Sequence, residues 1–388
     1  MSVHIGAGMS TEPDPLQAGT SAARAAEAGL GGASADLALV FASGSHLAAP
    51  EATLEGVLAV LTPGTLVGCG AGGVLARGRE LERGDAVAVW AAALGGGSAL
   101  PFHATVAGEK PDYEFAGLPS LDRSSGVLML SDPYSFPTEV ALEMFTEDAP
   151  AVPVLGGIAS ARAAADGAAL FLDDRVCDRG AVGVALQGVE MLPCVSQGAA
   201  PVGREVTITA AEGNVIHELA GRPALETLKL IISALSPREQ GLVAGGLLIG
   251  LVIDGGKPEY ERGDFLVRGV LGADPESGSL VVGAQVASGQ VVRLHARDAR
   301  SADEDLHEAL RLRVAALAGE PPAGAAVFSC NGRGSEMFGI ADHDAQAIEA
   351  ELGAPAAGFF AAGEIGPVGG RSFLHGFTAT LAVFPSGA

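Results

Sequence analysis

The order of predicted elements recurs along the chain, and this repeat limits the folds that are open to it. The repeating unit is a strand, a helix and two further strands, identified from apolar runs and from helical spacing of apolar residues. Its first copy comprises residues 35–43, 51–61, 66–70 and 85–92, and its last copy comprises 325–330, 343–352, 357–361 and 376–384. A chain built in this way buries many short strands.

Two middle segments fit the same template less tightly, so the unit is expected about four times in two larger halves. They begin with the strand 126–131 and with the helix 223–235. Short turns rich in glycine, aspartate and proline favour antiparallel pairing. We therefore predict an α+β protein of two similar halves, with mostly antiparallel sheets and helices packed on their faces. The predicted domains are a tail and first helix at 1–30, an N-terminal domain at 31–220 and a C-terminal domain at 221–388, and the first fifteen residues are expected to be disordered.

Charge and hydropathy exclude several classes of function. The 388 residues include 23 Lys plus Arg and 46 Asp plus Glu, a net charge of −23, so binding to nucleic acid or to an acidic membrane surface is not expected. Mean hydropathy is +0.34, yet the longest apolar run, Leu242–Ile253, is too short to span a bilayer. No secretory signal opens the sequence, so we expect a cytoplasmic protein.

Common catalytic and cofactor motifs are absent or weak. The four cysteines lie far apart without a C-x-x-C pair, and the eight histidines show no metal-binding spacing, so no metal site is expected. Gly68–Gly73 formally matches G-x-G-x-x-G, but the following residues do not begin a helix, which favours a glycine-rich hairpin over a nucleotide site. No cofactor is expected.

One segment near the C-terminus concentrates polar groups at the end of a buried strand. The candidate ligand-binding residues here are Cys330, Asn331, Gly332, Arg333 and Gly334. Flanking glycines expose backbone amides, and the planar guanidinium of Arg333 suits a carboxylate or phosphate. The structural alternative is that Arg333 caps carbonyl groups or pairs with Glu364. Cys330 is either a reactive thiol favoured by the nearby arginine or a small buried apolar residue.

A second segment places Glu364 and His375 on either side of a glycine-rich hairpin that also contains Arg371. Across such a hairpin a carboxylate and an imidazole can bind an amino-acid-like ligand, or the glutamate can simply satisfy backbone amides. Ser43 and Cys69, from the first copy of the unit, complete the set of candidate ligand-binding residues.

These C-terminal motifs together resemble the FIST C-terminal domain. They are Phe328-x-Cys330-x-Gly332-Arg333-Gly334, Gly358-Phe359-Phe360-x-x-Gly363-Glu364-Ile365-Gly366-Pro367 and Phe373-Leu374-His375-Gly376-Phe377-Thr378. The segments 35–43, 67–73 and 84–92 are similar to the FIST N-terminal domain. The resemblance covers about residues 30–384 and implies a stand-alone bacterial form of this family, whose name stands for F-box and intracellular signal transduction. It implies a sensory module for small ligands such as amino acids.

The resulting hypothesis is an intracellular sensory protein that binds an amino-acid-like or other carboxylate metabolite. Arg333 would hold the anion and Glu364 an amine or hydroxyl, and the effect would pass to a signalling protein in trans. Two alternatives stay open: a cysteine-dependent enzyme that uses Cys330 as nucleophile and His375 as base, and a scaffold that binds another protein. An enzyme is the less favoured class.

Overall fold

The computed structural model describes residues 2–163, 167–261 and 263–387, which form two compact units. The first unit contains the chain up to Ser196, Leu306–Leu374 and the segment from Thr378 onwards. The second contains Gln197–Asp305 and His375–Phe377. These units are bounded differently from the predicted domains at 31–220 and 221–388, because the chain returns to the first unit after residue 305.

The elements confirm the predicted α+β class. The helices are α1 (Pro15–Glu27), α2 (Pro50–Leu58), α3 (Thr138–Asp148), α4 (Ala224–Ala234), α5 (Pro237–Ala244), α6 (Ala299–Ala316), α7 (Ser335–Phe338) and α8 (His343–Leu352). The first fourteen strands are β1 (His4–Ser10), β2 (Leu37–Ser43), β3 (Thr65–Ala71), β4 (Val74–Ala76), β5 (Arg79–Leu81), β6 (Ala86–Ala93), β7 (Ser98–Ala107), β8 (Glu114–Ala116), β9 (Ser124–Ser131), β10 (Val154–Ile158), β11 (Leu170–Leu172), β12 (Arg175–Cys177), β13 (Ala181–Gln187) and β14 (Leu192–Gln197). The others are β15 (Ala199–Glu212), β16 (Val215–Leu219), β17 (Arg222–Pro223), β18 (Leu247–Val252), β19 (Phe265–Asp274), β20 (Ser279–Val282), β21 (Val291–Arg297), β22 (Pro322–Cys330), β23 (Ala356–Ala361), β24 (Glu364–Val368), β25 (Arg371–His375) and β26 (Thr378–Pro385).

Within the first unit, three sheets share one plan. Their strand orders are β1-β6-β2-β3-β11-β12 (sheet 1), β25-β24-β10-β9-β13-β7-β8 (sheet 2) and β14-β26-β22-β23-β4-β5 (sheet 3). At the centre of each lies a strand–helix–strand unit with parallel strands: β2-α2-β3, β9-α3-β10 and β22-α8-β23. The strand that closes each copy, β6, β13 or β26, is antiparallel to the first strand of that copy. The predicted repeat is therefore present three times here.

The three copies exchange hairpins in a closed cycle. The hairpin β4-β5 lies between β3 and β6 of the first copy but pairs with β23 of the third. The hairpin β11-β12 lies between β10 and β13 of the second copy but pairs with β3 of the first. The hairpin β24-β25 lies between β23 and β26 of the third copy and joins β10 of the second. Each sheet is thus completed by the chain of another copy.

A glycine occupies the same register in every copy, in the second strand of the parallel pair. These glycines are Gly68, Gly156 and Gly358, which lie opposite Val40, Met129 and Val327. A Cβ atom at these positions would lie 1.9, 1.8 and 1.7 Å from the carbonyl oxygen of the opposite residue. Since no side chain fits at that distance, the close approach of the strands requires glycine.

The inner faces of the three sheets pack on one another in a common apolar core, and helices cover the outer faces. Leu39 and Phe41 of β2 point into the common core, whereas Val40 between them belongs to the cluster beneath α1 and α2. The rings of Phe41 and Phe359, from sheets 1 and 3, stack with centroids 4.8 Å apart. Strand alternation therefore accounts for the continuous apolar runs in the sequence.

The prediction of a disordered N-terminus is wrong, because residues 4–10 form β1 and pair with β6 over seven positions. Gly6 and Gly8 let this strand lie directly against α1: a Cβ at Gly6 would be 1.7 Å from the carbonyl oxygen of Ala26. Four alanines of α1 are buried on this side of the helix. Small residues on both elements permit this packing. Because glycine and alanine are only weakly hydrophobic, the apolar pattern of the sequence did not predict this strand.

The second unit contains a single sheet of order β15-β21-β18-β19-β20-β16-β17, whose described strand pairs are all antiparallel. Helix α4 buries Leu228 and Ile231 in an apolar cluster with strand residues such as Ile249 and Leu294. The expected fourth copy of the unit therefore does not repeat the parallel plan of the other three. Within the ranges that the structure describes, no helix is both long and apolar enough to cross a membrane.

Candidate ligand-binding site

Strand ends from all three copies meet at one place in the first unit. Ser160, which follows β10, accepts a hydrogen bond from the amide of Gly72 at 2.8 Å and donates one to the carbonyl of Phe360 in β23. The carbonyl of Gly73 accepts a hydrogen bond from the amide of Phe360 at 3.0 Å. Asn331 directly follows the end of β22. The carboxyl ends of parallel strands are the usual position of ligand sites in sheets with helical crossovers.

A cavity of about 110 Å³ lies at this meeting point. Its walls include two acids and two bases, Glu82, Arg83, Arg333 and Glu336, together with the amide side chain of Asn331. At about 30 Å³ per water, the volume corresponds to roughly four water molecules. The cavity therefore suits a small polar molecule that carries charges of both signs.

Arg333 is fully buried and binds Asp344 through two parallel contacts. Its Nε donates to Oδ2 at 2.6 Å and its Nη2 donates to Oδ1 at 2.9 Å, and both side chains are 0% exposed. The expected free guanidinium fork is therefore wrong, and the structural alternative named the wrong acid, because Asp344 rather than Glu364 makes the ion pair. The Nη1 atom of Arg333 is buried without a hydrogen-bond partner among the described residues.

Further contacts fix Asp344 at the start of α8. Ser329 of β22 donates a hydrogen bond to its Oδ2 at 2.9 Å, and Nδ1 of His343 lies 2.9 Å from its Oδ1. The ring of His343 stacks on the ring of Phe338 with centroids 3.5 Å apart. The guanidinium of Arg333 lies 5.1 Å from the centroid of the same Phe338 ring. Burial opposes ionisation of Asp344, but the charge of Arg333 and the hydrogen bonds hold its pKa well below the usual range.

Glu364 is a second buried acid of this region. The amide and the hydroxyl of Thr378 donate to its Oε2 at 3.0 and 2.7 Å, whereas its Oε1 is buried without a hydrogen bond that meets normal geometry. Burial raises the pKa of Glu364 to about 7, although hydrogen bonds from Thr378 and Cys330 and the charge of Arg333 lower it. Cys330 is 6% exposed and accepts a hydrogen bond from the amide of Gly332.

The exchanged hairpin β4-β5 holds the helices beside the cavity. Glu80 accepts a hydrogen bond from the amide of Ala345 at 2.9 Å, in the first turn of α8, and burial raises its pKa to about 7, with further contributions from the charge of Asp344. Glu82 accepts hydrogen bonds from the amide and hydroxyl of Ser335 at 2.7 and 3.0 Å, at the start of α7. Gly334 has φ 92° and a Cβ there would lie 2.8 Å from the Glu82 carboxyl carbon, so a side chain would collide with this contact.

The other candidate residues lie elsewhere. Cys69 is fully buried in the common core, where burial raises its pKa well above the ordinary value. Ser43 is buried and donates to the carbonyl of Gly84 at 2.8 Å. Arg371 is exposed and lies over the ring of Phe373 at 5.7 Å. His375 ends β25 and belongs to the second compact unit, while Glu364 belongs to the first.

Two sequence motifs are now explained by the strand topology. No helix begins at the glycine run 68–73, so the structure gives no dinucleotide-binding turn, but the run is also not a hairpin: it leads from β3 in sheet 1 to β4 in sheet 3. The run 369–370 does form the predicted hairpin turn, between β24 and β25. In the part of the chain that the structure describes, no group of three or more His, Cys, Asp or Glu side chains is placed to hold a metal ion.

Comparison with protein families decides the identity. The FIST N domain model matches residues 36–222, and the FIST C domain model matches residues 224–367. The chain belongs to the FIST family. The resemblance seen in its C-terminal motifs is thereby confirmed.

Relatives of this FIST protein match it over almost their full length. The uncharacterized protein Rv0628c of Mycobacterium tuberculosis strain H37Rv is 44% identical over 385 residues, which cover 98% of this chain and 100% of the relative. The uncharacterized protein Mb0898c of Mycobacterium bovis is 42% identical over 391 residues, covering 98% and 99%. FIST domains are associated with signal transduction and with the sensing of small ligands.

Several residues of the site were not found from the sequence of this FIST protein. Glu80 is distant in sequence from Arg333 and reaches the third copy on the exchanged hairpin β4-β5, and Ser160 comes from the second copy, just after β10. Asp344 lies eleven residues beyond Arg333, in the helix of the same copy. Asp344 gave one signal, since an acid in the first turn of a helix is favoured by the helix dipole. Arg83 and Glu336 gave none, because charged residues in a short loop or a one-turn helix are usually solvated.

Proposed function

We propose that this FIST protein is a cytoplasmic sensory protein that binds a small amino-acid-like metabolite in the cavity at Arg83, Asn331 and Glu336. A separate signalling protein then binds or responds differently when the cavity is occupied. The observation that carries the proposal is a cavity lined by Arg83 and by Glu336, two charged side chains of opposite sign that have no ion-pair partner among the described residues, beside the buried Arg333.

The lining supports a zwitterion in particular. Neither Arg83 nor Glu336 makes a side-chain hydrogen bond or ion pair with any residue in 2–163, 167–261 or 263–387. In this proposal a ligand carboxylate contacts Arg83 and lies in the positive field of the buried Arg333, and a ligand ammonium contacts Glu336 and Glu82. Hydrogen bonds between charged groups are about twice as strong as neutral ones, which favours a ligand with both charges.

The role of Arg333 differs from the simple anchor expected from the sequence. Two of its three guanidinium nitrogens bind Asp344 and the third is buried, so Arg333 contributes chiefly its positive charge, and the orientation of α8 depends on the same pair. Replacing Arg333 would leave the buried charge of Asp344 without a partner and would therefore destabilise the fold. Variants of Arg83 and Glu336, which are exposed, are better tests of binding.

A panel of small amino acids tests the proposal by thermal shift and titration calorimetry, with the matching amines, carboxylic acids and amino-acid amides as partial ligands. An amino acid at a hundredfold excess over its Kd should stabilise the protein by about 2.7 kcal/mol. Analogues that lack either charge should bind more weakly. Arg83→Gln and Glu336→Gln should each weaken binding about ten- to a hundredfold, the loss expected for one hydrogen bond to a charged group.

Arg79→Gln is the matched control, because Arg79 is an exposed arginine of the same hairpin and does not line the cavity. It should bind like the unchanged protein. If no member of the panel shifts the unfolding temperature, or if Arg83→Gln and Glu336→Gln keep full affinity for a confirmed ligand, this assignment of the cavity is wrong.

A further inference from the structure

The second copy of the repeat has a larger cavity at its own strand end. Strand β9 ends at Ser131, and the loop 132–137 that follows it borders a cavity of about 740 Å³. We call this cavity the Tyr134 cleft; its other walls come from 106–113, from Arg162 and Gly167, and from 178–179. Its volume lies in the range of pockets that enclose ligands of drug size. It is thus large enough for a ligand with a ring system.

Buried hydrogen bonds hold the loop that carries Tyr134. Oδ2 of Asp132, a residue that is 1% exposed, accepts hydrogen bonds from the amides of Tyr134 and Ser135 at 3.2 and 2.9 Å and from the Ser135 hydroxyl at 2.7 Å. The Ser135 hydroxyl oxygen in turn accepts a hydrogen bond from the amide of Gly180 at 2.9 Å. Tyr134 itself is 76% exposed. A rigid loop therefore presents a large aromatic ring to the solvent, which no packing requirement explains.

Three cations line the cleft, and one of them lies against the Tyr134 ring. The guanidinium of Arg162 lies 4.7 Å from the centroid of the Tyr134 ring, and its Nε is 3.6 Å from Oδ1 of Asp132. Lys110 and Arg179 also line the cleft, and Arg179 makes an exposed ion pair with Asp178. Among the residues described, the terminal nitrogens of Arg162 and the ammonium of Lys110 make no hydrogen bond. Unused donors of this kind are available to an anion.

We propose that the Tyr134 cleft binds a mononucleotide-like ligand, a planar ring system that carries a phosphate. The ring stacks on the open face of Tyr134, and the phosphate contacts Arg162 and Lys110. Arginine and lysine are the usual phosphate ligands, and base stacking on an aromatic side chain tolerates any base. Glu109 and Asp178, which also line the cleft, can accept hydrogen bonds from ligand hydroxyl or amino groups.

The charge of the whole chain limits the ligand to a small one. At −23, the protein repels a long polyanion, whereas one phosphate needs only the local cations of the cleft. The proposal concerns a free nucleotide rather than a nucleic-acid strand. It concerns a different cavity from the amino-acid site and does not depend on it.

Calorimetric titration with AMP, adenosine and inorganic phosphate tests the proposal on the full chain. AMP should bind more tightly than either fragment, and raising NaCl from 50 to 200 mM should weaken AMP more than adenosine, since salt screens the exposed cations. Tyr134→Ala should weaken AMP about fivefold to a hundredfold, the range of one base stacked on an aromatic ring. Lys110→Gln should weaken AMP and leave adenosine unchanged.

Two control variants separate this site from general effects. Arg24→Gln removes an exposed arginine of α1 outside the cleft, and Arg83→Gln alters the amino-acid site; both should bind AMP like the unchanged protein. The proposal is overturned if AMP gives no heat at millimolar concentration, if phosphate alone binds as tightly as AMP, or if Tyr134→Ala has no effect. Tighter binding of a ten-nucleotide single strand than of AMP would also overturn it.

Discussion

Glu364 is an acid that the fold removes completely from water, and its pKa of about 7 makes stability depend on pH. In the unfolded chain a glutamate titrates near its ordinary value of about 4.3, so between that value and 7 the folded protein binds more protons than the unfolded one. The protonated Glu364 therefore contributes stability that is fully present below pH 4.3 and is lost as the pH rises through 7. Glu80, whose pKa is also raised to about 7, acts in the same direction.

Glu364→Gln tests this dependence, because glutamine imitates the protonated acid and its carbonyl oxygen can still accept from Thr378. The free energy of unfolding of the unchanged protein, relative to that of the variant, should fall by about 3 kcal/mol between pH 4.5 and 7.5, at 1.36 kcal/mol per unit of pKa shift. Urea unfolding followed by the fluorescence of the single tryptophan, Trp90, measures it. The exposed Glu226→Gln should show no such trend, and a flat difference for Glu364→Gln would contradict the role of burial.

Residue chemistry was only partly predictable from the sequence. The segment around Arg333 was found because glycines flank a charged residue after a buried strand, and the cavity does include Asn331 and Arg333. The partner of Arg333 was not found, since Asp344 lies eleven residues further along in a helix whose packing the sequence does not specify. A local pattern identifies an unusual residue, whereas its partner depends on tertiary contacts.

At the scale of elements, the three glycines of the parallel pairs are the strictest requirement of the repeat. A side chain at any of them would have to push apart two strands that hydrogen-bond to each other and bury both faces. Most helices and strands were predicted because apolar periodicity is local, although the short helices α5 and α7 were not. The parallel pairing was not, because the periodicity of a strand carries no information on the direction of its neighbour.

Gly358→Ala should lower the free energy of unfolding of the first unit by about 2–4 kcal/mol, a cost typical of overpacking and backbone strain in a core. Gly68→Ala and Gly156→Ala should have effects of similar size, because the same carbonyl contact recurs in each copy. Gly241→Ala is the matched control: Gly241 lies in α5 with nothing within 4 Å of its Cβ position, so alanine should be neutral or stabilise by up to about 1 kcal/mol. Urea unfolding monitored by hydrogen exchange measures the change in unfolding free energy for the glycine variants of the repeat and for the control. Equal effects at Gly241 and Gly358 would show that the register of the glycines is unimportant.

At the scale of the whole molecule, the cyclic exchange of hairpins explains how the cavity and the stability of the first unit are connected. The hairpin β4-β5 of the first copy and the residues just after it bring three charged side chains to the third copy. Glu80 and Glu82 hold α8 and α7, and Glu82 and Arg83 line the cavity. In this arrangement, a contact made in the cavity by the chain of one copy acts on the sheet of another. The sequence showed the repeat but not the exchange, because the loops between copies are short and chemically ordinary.

The exchange also predicts that the three copies unfold together. Each sheet loses strands when another copy unfolds, so no copy keeps a complete sheet alone, and cooperative units of this kind share one opening free energy. Trp90 of sheet 1 is fully buried beside Phe384 of sheet 3 and reports on the first unit. In Gly156→Ala, which alters sheet 2, the urea midpoint seen by Trp90 should fall by the same amount as the midpoint of hydrogen exchange in β10. A Trp90 transition that stays at its original midpoint while β10 exchanges earlier would show that the copies unfold independently and that the exchanged hairpins do not couple them.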